Sequence, residues 1–209
     1  MTEQINLKEI EKKAWTSYFQ DGLWDILLGL ILLNFGIAPF IEETTKVNYL
    51  IGYIIILFLA ELIFFAGKKY ITIPRIGKVK FGNIRQKKRL KVRIVLGISV
   101  LLGFIILFLT VSNNIPVISE IALPAIIFGI NAIIVFSAMA YILDFPRLYL
   151  YGTFFAASIL LVEFSYNYVG SSYDNLIGFG LFGGIITIIG LIYLLRFIKK
   201  HPLPNEEIN

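Results

Sequence analysis

The sequence predicts an all-α, polytopic membrane helix bundle with six transmembrane helices and an N-terminal interfacial amphipathic helix. Three observations carry this expectation. Of 209 residues, 57% are hydrophobic and only 16% charged, with a mean hydropathy of +0.80; a soluble domain carries about a quarter charged residues. The apolar residues are gathered into runs of roughly 18 or more, long enough to cross a hydrocarbon core of ~30 Å. Finally, between Glu61 and Glu120 stand eleven Lys and Arg residues and no acidic one, all eleven between Lys68 and Arg93. A basic connector flanked by two apolar spans is retained on the cytoplasmic side. The alternating ten-residue segments of an outer-membrane barrel are absent.

The elements follow in order. Residues 5–19 read as the amphipathic helix: Leu7, Ile10, Ala14 and Tyr18 recur at helical spacing, widened by Trp15 and Phe19. Lys8, Glu9, Glu11, Lys12 and Lys13 take the opposite face, so the helix is expected in the interface plane with its aromatic side among headgroups. Asp21-Gly22 breaks the chain, and Asp21 suits the N-cap of the first span. The spans are read as 23–41, 48–67, 92–112, 120–143, 148–168 and 176–198 of a single membrane domain, 1–209. Short joins between the third and sixth make consecutive helices antiparallel neighbours. The 68–91 loop alone is long enough to hold structure of its own. Tyr70–Ile73 and Lys78–Phe81 alternate like strands around the turn-prone Pro74-Arg75-Ile76-Gly77, predicting a small surface hairpin. Arg85 to Arg93 then reads as a basic helical lead-in to the third span.

Orientation follows from counting charge. With the N-terminus inside, 18 of the 19 basic residues fall on the cytoplasmic side and only Lys46 outside. Both termini are therefore expected in the cytoplasm, with the chain in a prokaryotic plasma membrane. The charged first twenty residues lack the apolar stretch of a cleavable signal peptide.

Candidate chemistry is sparse. Ionisable and strongly polar groups inside spans are costly and mark ion or substrate paths by default; here they are Asp25, Asn34, Glu61, Asn131 and Glu163. Pairing or interfacial exposure is the plainer reading for the carboxylates, and an interhelical hydrogen bond for the two Asn residues. The net charge of +5 and the connector's Lys68, Lys69, Arg75, Lys78, Lys80, Arg85, Lys87, Lys88 and Arg89 point to anionic headgroups or an acidic partner, each cation near such a leaflet contributing ~1 kcal/mol. Nucleic acid is not an expected partner, because the stripe is tied to headgroups and offers few aromatics for stacking. In the last span Gly180 and Gly184 form a GxxxG pair, read first as packing within the bundle and second as a contact with another copy or a membrane-complex partner.

Enzymatic readings fare poorly. The chain has no cysteine and one histidine, His201, in its tail, so neither a thiolate site nor a His-based metal cluster or triad is expected. No phosphate-binding loop is present, and no cofactor is implied; a lipid-modifying enzyme ranks last. The leading expectation is a small ion or solute transporter or channel-like protein, with Glu61 and Glu163 binding the cation or proton. A weak inverted repeat, each middle span carrying one Glu before a Gly, hints the same way. The alternative is a non-enzymatic membrane subunit or scaffold that docks a partner or anionic lipid through its basic loop.

Overall fold

The computed structural model describes residues 15, 17–77, 83–112, 117–118, 121–170 and 172–203. Six helices long and apolar enough to cross a membrane account for nearly all of them. These are α1 (Leu23–Thr45), α2 (Tyr49–Gly67), α3 (Asn83–Val111), α4 (Leu123–Leu143), α5 (Arg147–Val169) and α6 (Tyr173–Lys200). The expected spans are all present, and their ends differ by local chemistry. Beyond Ile41, α1 gains a polar turn whose Thr44 and Thr45 hydroxyls donate to the Phe40 and Ile41 carbonyls at 2.9 and 2.7 Å. Asn48 caps α2 by accepting from the Leu50 amide at 2.9 Å. At the head of α1 the N-cap is Gly22, at φ 80°, not the expected Asp21, which stands one residue earlier and accepts from the Leu23 amide at 3.2 Å.

The connector departs from expectation. Tyr70–Ile73 is not a strand: α2 runs on through a π-helical turn, Lys68–Thr72, and one α-helical turn, Ile73–Ile76, to Gly77. Alternation over four residues is a weak local signal, and here tertiary hydrogen bonds from Lys68 and Thr72 override it. Lys78 to Phe81, the second half of the expected hairpin, lie outside the described residues, as do Lys78 and Lys80 as docking candidates. The basic stretch Arg85 to Arg93 is helical as expected, the first turns of α3. The only pairing of strands among the described residues is two residues long, β1 (Val117–Ile118) antiparallel to β2 (Ile121–Ala122).

Helices pack in the order α2–α1–α6–α5–α4–α3. The series is open at its two ends, because α2 and α3 make no extensive contact with each other. The tightest contact is α1 on α6. Glycines create it: a Cβ on Gly183 would sit 2.6 Å from the Leu33 amide nitrogen and 3.0 Å from the Gly29 carbonyl oxygen, and one on Gly190 2.6 Å from the Ile26 nitrogen. Small residues let helix backbones approach where no hydrophobic force drives association.

Of the expected Gly180–Gly184 pair, Gly180 lies at this contact, where a Cβ on Gly36 would sit 3.0 Å from its amide nitrogen. A Cβ on Gly184 would meet nothing within 4 Å, and one on Gly180 only Leu176 of its own helix. The contact sets Gly22, Gly29 and Gly36, seven apart, against Gly190, Gly183 and Gly180 respectively. Seven residues are close to two helical turns, so these positions stack along one stripe.

The N-terminal segment differs too. Residues 17–20 are helical, and residues 1–14 and 16 lie outside the described set. Trp15 and Phe19 are fully or almost fully buried, at 0% and 5% exposure. They pack with Leu143, Phe145 and Leu148 in the main core cluster, and the Trp15 indole donates to the Leu143 carbonyl at 2.8 Å. The aromatic pair thus packs over the α4–α5 turn. An indole with a protein acceptor and a core to fill gains more there than among headgroups.

Candidate functional site

Charge concentrates at the end of the bundle where α1 begins. Asp21, just before α1, and Asp25, in its first turn, are both completely buried. Each faces a cation from a different element. Lys68, at the start of the π-helical turn, places Nζ 2.6 Å from Asp21 Oδ2, and Thr72 donates to the same oxygen at 2.7 Å. The widened turn brings both side chains onto one carboxylate, as π-turns often do at specialised positions. From the first turn of α5, Arg147 Nη2 donates to Asp25 Oδ2 at 2.8 Å, while the Tyr151 hydroxyl donates to Oδ1 at 2.6 Å.

Both cations also grip the N-terminal segment. Lys68 donates to the Tyr18 carbonyl at 2.7 Å and Arg147 to the Phe19 carbonyl at 2.9 Å. Lys68 Nζ lies 3.8 Å from the Tyr18 ring centroid and the Arg147 guanidinium 3.8 Å from that of Tyr193, a geometry worth ~2 kcal/mol or more when desolvated. Burial pushes the Tyr18 phenol above its ordinary pKa, with Asp21 adding to the effect and Arg89 opposing it. Two carboxylates, two cations and two consecutive carbonyls thus clasp the segment to the ends of α2 and α5. Unpaired, either charge would be too costly to bury.

A third acid holds α3. Asp144 follows α4 with φ 56°, and the next amide, Phe145, donates back to the Ala140 carbonyl at 3.0 Å. This closes a Schellman-type turn that leaves the carboxylate facing α3. Arg85 (3.1 Å) and Lys88 (2.5 Å) both bind Asp144 Oδ2. Partial burial alone would raise this carboxyl, but the hydrogen bonds and charges of Lys88 and Arg85 outweigh it and hold its pKa below the ordinary value.

The five intramembrane candidates do not converge. Asp25 is the buried anchor just described. Asn34 donates to the Tyr53 carbonyl at 2.9 Å and joins α1 to α2. Asn131 donates to the Ser99 hydroxyl at 2.8 Å and joins α4 to α3. Glu61 is exposed on the outside of α2, and Glu163 is half-buried on α5, in electrostatic reach of Asp174 near the start of α6. None of the five lines any of the three depressions described here.

The basic candidates divide in two. Lys68 is corrected from docking residue to buried structural cation. Arg85 and Lys88 are half-buried and engaged with Asp144, and Arg75 donates to the Ile71 carbonyl of its own helix at 3.1 Å. Lys69, Lys87 and Arg89 are exposed, with the Arg89 guanidinium 5.7 Å from the Trp15 ring centroid. Sequence reasoning missed Arg147 and Tyr151 as partners of Asp25, although a lone acid inside the first span demanded a cation at the same depth.

Three depressions open at this end. One of about 410 Å³ is walled by Ser17, Gln20 and the Asp144–Arg147 turn on one side and by Tyr193, Arg196, Lys200 and His201 of the α6 end on the other. A second, about 310 Å³ and largely apolar, lies between α1, α3 and α4. The third is a shallow basic hollow on α3 that adjoins it.

Fold and surface together define a polytopic helical membrane protein with one strongly basic end. No protein-family model, no curated protein and no solved structure matches this chain.

Proposed function

We propose that this chain is a non-transporting membrane scaffold whose basic end faces the cytoplasm and holds anionic lipid. The observation that supports this reading is how its polar groups are deployed. Asn34 and Asn131 are engaged in helix–helix hydrogen bonds, and Asp25 is engaged with Arg147 and Tyr151. Glu61 points away from the bundle, so the five candidates are held or turned outward separately and are not gathered in one place. The basic end, by contrast, keeps Lys87, Arg89 and Arg93 exposed at hollows large enough for a headgroup or a chain. Positive charge beside apolar spans attracts the anionic cytoplasmic leaflet, with ~1 kcal/mol from each cation. The reading needs no cofactor and no catalytic group.

The test is the unfolding midpoint of the full chain in neutral micelles titrated with phosphatidylglycerol or phosphatidylcholine. A ligand of the folded state stabilises in proportion to the logarithm of its concentration. The midpoint is expected to rise with the anionic lipid alone, and the rise to shrink at high salt. An equal response to both lipids would remove the proposal.

A further inference from the structure

We propose that the groove between α1, α3 and α4 is a site for one anionic phospholipid, its acyl chain in the groove and its phosphate on Arg89 and Arg93. The proposal rests on the lipid-holding reading above and narrows it to one place. Two adjoining depressions share these two arginines. The first, about 310 Å³, is walled by Trp24 and Leu28 of α1, Val92 and Leu96 of α3, and Met139 and Leu143 of α4, with Tyr18 and Phe145 at its end. The second is a polar hollow formed by Gln86, Lys87 and Leu90 with the same Arg89 and Arg93.

Helix periodicity builds this junction. Arg89, Val92, Arg93 and Leu96 are three or four residues apart and share one face of α3. That face turns from basic to apolar within two turns, the order in which a phospholipid presents phosphate and chain. The apolar hollow suits a chain and rejects a soluble anion; the basic hollow suits a phosphate, which guanidinium groups bind with two parallel hydrogen bonds. α2 contributes no described residue to either lining and makes no extensive contact with α3, which leaves that side for a chain to enter from the bilayer. Arg89 also lies beside the Trp15 and Tyr18 rings. A phosphate there would touch the clasped N-terminal segment.

The experiment uses the full chain in mild neutral detergent and measures bound lipid per protein with phosphatidylglycerol, phosphatidylcholine or glycerol phosphate as probe. Arg89→Gln/Arg93→Gln is expected to weaken phosphatidylglycerol binding about thirtyfold, a factor of about five for each cation at a surface. Lys69→Gln/Lys91→Gln removes the same charge from exposed positions outside both hollows and is expected to leave binding within about threefold. Leu96→Trp, checked for an unchanged unfolding midpoint, is expected to expel the lipid while keeping both arginines. Arg89→Lys/Arg93→Lys is expected to restore much of the binding.

Equal weakening by both double Gln variants would overturn the groove site and leave the broader lipid reading standing. Glycerol phosphate binding as tightly as phosphatidylglycerol would also overturn it, replacing a lipid site with a soluble-anion site. No preference for phosphatidylglycerol over phosphatidylcholine would remove both readings together.

Discussion

Asp21 and Lys68 lie 47 positions apart in sequence and meet at 2.6 Å, both almost fully buried, where the N-terminal segment crosses the end of α2. The pair shares its surroundings with Thr72 and the Tyr18 carbonyl, so both Asp21 oxygens accept hydrogen bonds and the Lys68 ammonium has two acceptors. Such a pair fixes register more than it adds net stability. Removing one member strands the other in a low-dielectric site, whereas removing both leaves a cavity to be filled.

Asp21→Asn or Lys68→Met alone is therefore expected to destabilise the folded chain by about 3–5 kcal/mol. The double variant should lose clearly less than the sum. Thermal unfolding in micelles of the four species of the cycle measures the coupling. Additive losses would mean that the two side chains do not depend on each other.

The glycine stripe makes a sharper prediction than the GxxxG pair. Gly183→Leu drives a side chain into the α1 backbone at Leu33 and Gly29 and should cost at least the 1–3 kcal/mol of an overpacked core. Gly184→Leu meets open space and should stay within about 0.5 kcal/mol of the parent. Unfolding midpoints decide between them, and the reverse order would refute the assignment of the α1–α6 contact.

The pH dependence at Asp144 follows from its lowered folded-state pKa. A carboxyl held below its unfolded value contributes stability that is fully present above about pH 4, and loses it as the pH falls through the lower folded value. Amide exchange in the first turns of α3 should accordingly stay slow down to about pH 4 and quicken below it, with Asp144→Asn removing the transition. Its side chain is 44% exposed, so solvent screening keeps the effect small. A transition near neutral pH would contradict the pairing.

Glu61→Gln/Glu163→Gln separates the scaffold from a transporter. In sealed vesicles the parent and the double variant are both expected to match the ion and proton leak of empty vesicles. Flux in the parent that the variant abolishes would restore the transport reading.

Much of the architecture was legible because it depends on local sums. Span length, the basic connector and the helical lead-in at Arg85 to Arg93 each follow from residues close together in the chain. The contacts that organise the basic end were not legible in this way. Asp21 with Lys68 and Asp25 with Arg147 join distant residues, so Lys68 read as one more surface cation and Arg147 as one more topological charge. The strand-like Tyr70–Ile73 was overridden by the same pairing, since only a helical path carries both Lys68 and Thr72 to Asp21. The glycine contact left a usable trace: Gly22, Gly29 and Gly36 repeat every seven residues, as do Gly183 and Gly190. A search for close pairs at four-residue spacing passes over that longer period.

The most direct test of the account is the lipid selectivity of the reconstituted chain, read from the motionally restricted component of spin-labelled lipid at its surface. The account predicts a larger restricted fraction for labelled phosphatidylglycerol than for phosphatidylcholine, narrowing as salt is raised. Equal fractions at low salt would contradict it.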